Sequence, residues 1–149
     1  IQSSRYEGRL SYAIDIDPSL YDYRVPALLL QPVVENAVLH GCERKKEPTM
    51  IVVASRVQEG KLLLETRDDG PGMDAEALAR LRGKVNSLEE SEEPRLSRTG
   101  IGLVNVNKRI KVKYGNDYGL TVDSVPNGGT VVTLAIPCPP KGERICTNC

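Results

Sequence analysis

Residues 61–73 read Lys61-Leu62-Leu63-Leu64-Glu65-Thr66-Arg67-Asp68-Asp69-Gly70-Pro71-Gly72-Met73. Up to Asp68 the run is strand-like. A period of two places Leu62, Leu64, Thr66 and Asp68 on one side, so a row of side chains facing a core ends in a carboxylate. That carboxylate needs a partner, and Gly70 and Gly72 directly after it let the backbone approach a ligand closely. An ionised Asp only accepts hydrogen bonds, which suits an amino group such as the exocyclic one of adenine. Taken alone, the segment reads more readily as an ordinary Asp-Gly-Pro-Gly turn.

Outward from this segment, residues 49–57 and 61–68 are two β-rich runs separated by Glu59-Gly60, a hairpin signal. Residues 9–17 alternate, with Leu10, Tyr12, Ile14 and Ile16 on one face, which predicts a half-buried strand. From Pro26 to His40 apolar residues recur at helical spacing. Pro26 suits a first turn there, Pro32 disturbs one turn inside the run, and Gly41 is a stop. A short helix is expected over Asp74–Arg82, capped by Asp74. Residues 83–99 lose apolar periodicity, carry Glu89, Glu90, Glu92 and Glu93, and read as a polar, mobile loop. Leu103, Val106, Ile110 and Tyr114 then mark an amphipathic helix ended at Gly115. Strands near 119–125 and 130–136 flank Pro126-Asn127-Gly128-Gly129. This order predicts a mixed sheet with about three helices packed on one face, an α+β two-layer sandwich.

The chain has 149 residues, 40% hydrophobic and 27% charged, a composition that suits one globular domain. Twenty basic residues balance twenty acidic ones, which argues against a general nucleic-acid or anionic-membrane binder. All six aromatic residues are Tyr, so a stacking platform for bases is not expected. No run of about 18 apolar residues is present, and the start does not resemble a signal peptide, so no direct membrane insertion is expected. Four cysteines, at 42, 138, 146 and 149, are too unevenly placed for a disulfide framework and fit a reducing, cytoplasmic setting. Cys146 and Cys149 have the spacing of half a zinc site, but they lie in a Pro, Gly and Lys-rich stretch read as a flexible tail, 138–149.

Two further constellations carry chemistry. Thr99-Gly100-Ile101-Gly102-Leu103 stands directly before the third helix, where unpaired backbone N–H groups and the helix dipole favour an anion such as phosphate. The third glycine of a dinucleotide fold and the lysine of a P-loop are both missing. A flexible entry to a helix explains the pattern equally well. On the first helix, Val34-Glu35-Asn36-Ala37-Val38-Leu39-His40 places Asn36 and His40 four apart on one face, with Glu35 about 100° around it. An amide oxygen suits a hard cation such as Mg²⁺, which keeps several waters and leans on substrate phosphates. Polar residues on a solvated helix face are the plain alternative.

In this order, ENAVLHG, DDGPGM, TGIGL and the NGGT before the last strand resemble the N box and glycine boxes of the sensor histidine kinase ATP-binding domain. That domain belongs to the superfamily shared with gyrase, MutL and the heat-shock chaperone of ninety kilodaltons. The resemblance spans about residues 9–137, and the wording of LLLQPVVENAVLHG and GIGLVNVNKRIKVKYG is closest to the subgroup typified by LytS and YehU. It implies a Bergerat-type sandwich holding Mg-ATP under a mobile lid, about 83–99, in a domain of residues 1–137. Asp68 matches the residue that binds the adenine amino group, Gly70 and Gly72 shape the pocket floor, and Met73 is an apolar wall. Asn36 matches the Mg²⁺ ligand. Thr99, Gly100, Gly102 and Leu103 match the phosphate-facing box, and Thr130 the polar residue of the last box. His40 would touch the nucleotide, and Glu35 would polarise a proton during transfer.

Two departures bear on activity. Leu39 stands where many of these kinases carry Lys, with Arg95 or Arg98 of the lid as replacements. Pro32 stands where water-activating relatives carry Glu, which favours a kinase over a dedicated ATPase. The sole histidine, His40, is claimed by the pocket, so the acceptor histidine is expected on a phosphoacceptor helical hairpin outside this chain. The implied activity is γ-phosphoryl transfer from ATP to that histidine, with a response regulator downstream and the full-length protein in the bacterial cell membrane. The alternatives are an anti-sigma-factor-like serine kinase and a nucleotide-binding module without transfer activity.

Overall fold

The structure is a computed structural model that describes residues 10–26, 28–42, 47–87 and 100–138. Five strands form one mixed sheet: β1 (Leu10–Asp15), β2 (Thr49–Gln58), β3 (Lys61–Asp68), β4 (Gly119–Ser124) and β5 (Thr130–Pro137), in the spatial order β1-β2-β3-β5-β4. The pairing of β1 with β2 is parallel and the rest is antiparallel. Helices α1 (Gln31–Ala37), α2 (Ala75–Asn86) and α3 (Ile101–Tyr114) cover one face. The expected two-layer α+β sandwich is the observed one.

Register explains the core. Leu62 and Leu64 on β3, Val132, Leu134 and Ile136 on β5, and Leu120 and Val122 on β4 all point to the helices, where Val33, Val85, Leu103, Val106 and Ile110 meet them. Burying each such side chain stabilises the fold by about 1.5–3 kcal/mol. A smaller cluster of Ala37, Val38 and Ile51, packed with Leu10 and Val34, lies toward the β1 edge. One row across the sheet matters most: Ile51 pairs with Asp68, Asp68 with Thr130, and Thr130 with Ser124. The helix-facing apolar rows therefore end in three adjacent polar side chains.

Four sequence expectations need correction. The first helix does not begin at Pro26: Leu28 is left-handed, with φ 71°, and the helix starts at Gln31 with Pro32 in its first turn. Pro32 does not disturb that turn, because a first-turn N–H has no partner to lose. The same helix widens into a π turn over Val38–Cys42. Second, α2 continues to Asn86, so the stretch expected as lid is helical over its first four residues. Ser87 follows as the C-cap, and residues 88–99 lie outside the described residues. Third, β1 is an edge strand that the helices cover only at its start, where Leu10 packs against the cluster of Ala37, Val38 and Ile51, and the rest of its apolar face is open: Tyr12 is 74% and Ile14 67% exposed. Fourth, Cys138 is not loose tail, since its N–H donates to Gly60 O at 2.9 Å and its thiol lies 3.4 Å from Tyr23 Oη. Residues 139–149, with Cys146 and Cys149, lie outside the described residues.

Candidate nucleotide site

At the polar end of that sheet row a cavity is lined by Asn36, His40, Asp68, Pro71, Gly72, Met73, Leu81, Gly100 and Thr130. Its volume of about 60 Å³ is the floor of a site rather than room for a whole nucleotide, since ligand pockets run to roughly 300 Å³ and more. Five sequence segments converge here, Leu81 from α2 and Thr130 from β5 beside the three that carry the motifs. The α1 segment brings Asn36 and His40, the end of β3 brings Asp68 and the loop after it, and the start of α3 brings Gly100.

Each element has a local reason for its place. Asp68 is 5% exposed, and its Oδ1 accepts from the Gly70 N–H at 2.9 Å, so Gly70 acts beneath the carboxylate rather than on the cavity wall. Its neighbour Asp69 faces away, exchanging bonds with Met50 that extend the β2–β3 pairing: Met50 N–H to Asp69 Oδ1 at 2.8 Å and Asp69 N–H to Met50 O at 3.3 Å. The following loop is pinned to the β4–β5 turn. Asn127 N–H donates to Pro71 O at 2.7 Å and Met73 N–H to Ser124 Oγ at 2.9 Å. Gly72 is required by this closeness: its φ is +65°, and a Cβ there would lie 1.9 Å from Val125 O. Gly102 is different. It lies inside the first turn of α3, and a Cβ would meet only Pro32 Cβ at an ordinary 3.5 Å. Packing among the described residues does not demand glycine at 102, although glycine costs a helix about 1 kcal/mol.

Of the residues singled out from sequence, Asn36, His40, Asp68, Gly72, Met73, Gly100 and Thr130 come together around the cavity. The π turn keeps His40 beside Asn36, and such turns recur at functional sites. Gly70 supports Asp68, Gly102 is exposed on the first turn of α3, and Leu103 is a core residue at 1% exposure. Glu35 does not line the cavity. It is exposed, and its Oε1 accepts from Gln31 Nε2 at 2.8 Å, one turn back. Thr99 lies outside the described residues, as do Arg95 and Arg98. Sequence analysis missed Pro71, Leu81 and Ser124. Leu81 had a visible signal, the spacing Leu78, Leu81, Val85 on α2. Two phenols are pushed above their ordinary value away from the cavity, Tyr23 by its hydrogen bond with the Cys138 thiol and Tyr114 by burial.

A sequence profile of the histidine kinase-, DNA gyrase B- and HSP90-like ATPases matches residues 22–140. The chain belongs to that family. This histidine-kinase-type domain resembles sensor histidine kinase YesM of Bacillus subtilis strain 168, at 33% identity over 138 residues, 93% of the chain and 21% of YesM. Sensor protein LytS of Staphylococcus saprophyticus is 31% identical over 137 residues, 92% of the chain and 22% of LytS. The chain thus spans about a fifth of the length of these two relatives. Among solved structures, the nucleotide-free catalytic domain of histidine kinase ThkA matches with a TM-score of 0.61 at 18% identity, covering 94% of this chain and 86% of that one. The histidine kinase domain of the Erythrobacter litoralis EL346 blue-light activated kinase matches with a TM-score of 0.60 at 19% identity, covering 92% and 55%. These likenesses establish the sandwich as the histidine kinase ATPase fold, and the domain as an ATP-binding one. No helix among the described residues is long and apolar enough to cross a membrane.

Proposed function

We propose that residues 1–137 are the catalytic domain of a two-component sensor histidine kinase, transferring the γ-phosphoryl group of ATP to a histidine on a helical hairpin outside this chain. The observation that carries the proposal is the convergence of Asn36, His40, Asp68, Gly100 and Thr130 on one cavity. The adenine would lie against Asp68, Thr130 and Met73, with the phosphates toward the N–H groups at the start of α3, where Gly100 and Gly102 keep the backbone open. Mg²⁺ suits the donor set. Asn36 offers one neutral amide oxygen, and no group of three or more His, Cys, Asp or Glu side chains could hold an ion among the described residues. A cation resting mainly on the substrate's phosphates with one protein ligand is the behaviour of Mg²⁺, and bound there it would neutralise phosphate charge.

The acceptor is argued from inventory and placement. His40, the one histidine in the sequence, lines the cavity with Asn36. An imidazole beside the phosphates is badly placed for attack opposite the leaving β-phosphate oxygen. Glu35, exposed and steadied by Gln31, sits where an incoming histidine could reach it, and it is the group assigned to polarise that histidine. In this reading the full-length protein is anchored in the bacterial membrane and a response regulator takes the phosphoryl group onward.

The test is labelling with γ-labelled ATP and Mg²⁺. The chain alone should bind ATP and remain unlabelled. A phosphoacceptor hairpin added in trans should become labelled, and Asn36→Ala should abolish the transfer. An acid-labile phosphohistidine on the isolated chain that disappears in His40→Ala would overturn the assignment. Transfer only to a serine-bearing partner would favour the anti-sigma-factor-like alternative, and ATP binding without transfer to either would leave a nucleotide-binding module.

A further inference from the structure

The polar row Asp68–Thr130–Ser124 contains a hydrogen-bond chain whose direction is fixed. Ser124 Oγ lies 2.7 Å from Gly129 O, an atom that can only accept, so the single Ser124 hydroxyl proton is committed there. Its two lone pairs then face two donors. One is the Met73 N–H at 2.9 Å. The other position is taken by Thr130 Oγ1 at 3.1 Å. With the Ser124 proton already used, Thr130 must be the donor in that pair. Ser124 thereby makes all three bonds of which a hydroxyl is capable.

The consequence falls on the cavity. Thr130 lines it beside Asp68, and its own proton is turned away toward Ser124, so only lone pairs remain to face a ligand. The carboxylate of Asp68 is likewise acceptor-only. We propose that Ser124, which does not line the cavity, is a specificity-positioning residue: by consuming the Thr130 proton it makes the base end of the site accept hydrogen bonds only, selecting a purine with an amino group at position six over one with an oxo group. The inference rests on the ATP-binding proposal and goes beyond it, because the selection is assigned to a hydroxyl direction set from β4 rather than to the Asp68 carboxylate alone.

Calorimetric affinities for ATP and ITP, whose base differs by an oxo group at position six, test this in the wild type, Ser124→Ala, Ser124→Thr and Thr130→Val. The wild type should prefer ATP. In Ser124→Ala the Thr130 hydroxyl is released to donate to the oxo group, and the ATP-to-ITP preference should fall by about tenfold, the scale of one neutral hydrogen bond. Ser124→Thr, which keeps the hydroxyl, should restore the preference. Thr130→Val leaves the Ser124 bonds to Met73 and Gly129 in place, and should weaken ATP without improving ITP. A Ser124→Ala protein that loses affinity for both nucleotides by the same factor would reduce Ser124 to a loop clamp and overturn the proposal. If Ser124→Ala does not fold, a gain of ITP affinity in Thr130→Val would overturn it independently. Failure of the wild type to bind ATP at all would instead sink the nucleotide-site assignment itself.

Discussion

Asp68 ends an apolar row of β3, and its burial at 5% exposure is what makes its chemistry consequential. A buried carboxylate that loses its ligand partner costs far more than an exposed one, so Asp68→Ala should weaken ATP binding by roughly 2–4 kcal/mol, the scale of a charge-assisted bond in a dry site. GTP, which offers an acceptor at position six, should bind the wild type more weakly than ATP. Equal affinities for the two by calorimetry would remove Asp68 from the base site. At this scale the sequence was informative where chemistry follows local spacing: the period of two located Asp68, and the four-residue step paired Asn36 with His40. It was silent on Ser124. That role depends on whether Gly129 O or Thr130 Oγ1 receives one proton while the Met73 N–H donates, and those neighbours come from the β4–β5 turn, β5 and the loop after β3. Glu35 was recognisable only as the neighbour of Asn36, and helix geometry turns it out of the cavity.

At the level of elements, periodicity outlasted the punctuation that was allowed to interrupt it. From residue 83 onward the sequence reads as having lost apolar periodicity, yet Leu78, Leu81 and Val85 keep one face across Gly83, and burying Val85 at 2% exposure outweighs the cost of about 1 kcal/mol for a helical glycine. Pro32 was misjudged for the opposite reason, because nothing local announces that Leu28 turns left-handed and delays the helix start. The end of α2 is then fastened by Asn107, a residue that no local pattern singles out. From the middle of α3, Asn107 donates to Val85 O at 2.7 Å and accepts from Leu120 N–H at 2.8 Å, joining two helices to β4. Asn107→Ala would leave a buried acceptor and a buried donor without partners, and should lower unfolding free energy by about 2–4 kcal/mol. Chemical denaturation measures this directly. A loss under about 0.5 kcal/mol, the size of an ordinary surface change, would show that the contact is incidental.

For the molecule as a whole, the sheet divides the protein into unequal parts. The main core ties β3, β4, β5 and the three helices together, whereas the β1 edge rests on the small cluster of Ala37, Val38 and Ile51 with Leu10 and Val34. Alternation in residues 9–17 identified β1 as a strand but could not reveal that the helices reach Leu10 and leave Tyr12 and Ile14 exposed. Only the three-dimensional order of strands decides that. Val33 anchors the start of α1 in the main core, but Asn36 and His40 stand beside Ala37 and Val38 of the small cluster, while Asp68, Thr130 and Gly100 belong to the strongly supported side. Local opening free energy follows buried apolar contact, so amides of β1 and of the α1–π-turn segment, 31–42, should exchange with solvent faster than those of β3, β5 and α3. A nucleotide bridging Asn36 and Asp68 stabilises only conformations in which both sides are closed. Mg-ATP should therefore slow exchange most over 31–42, by a factor that grows with ligand concentration, and least in β5, which already opens only when the whole domain unfolds. Residue-resolved hydrogen exchange with and without Mg-ATP separates this from the alternative of a uniformly cooperative domain, in which every segment would begin equally protected and gain equally.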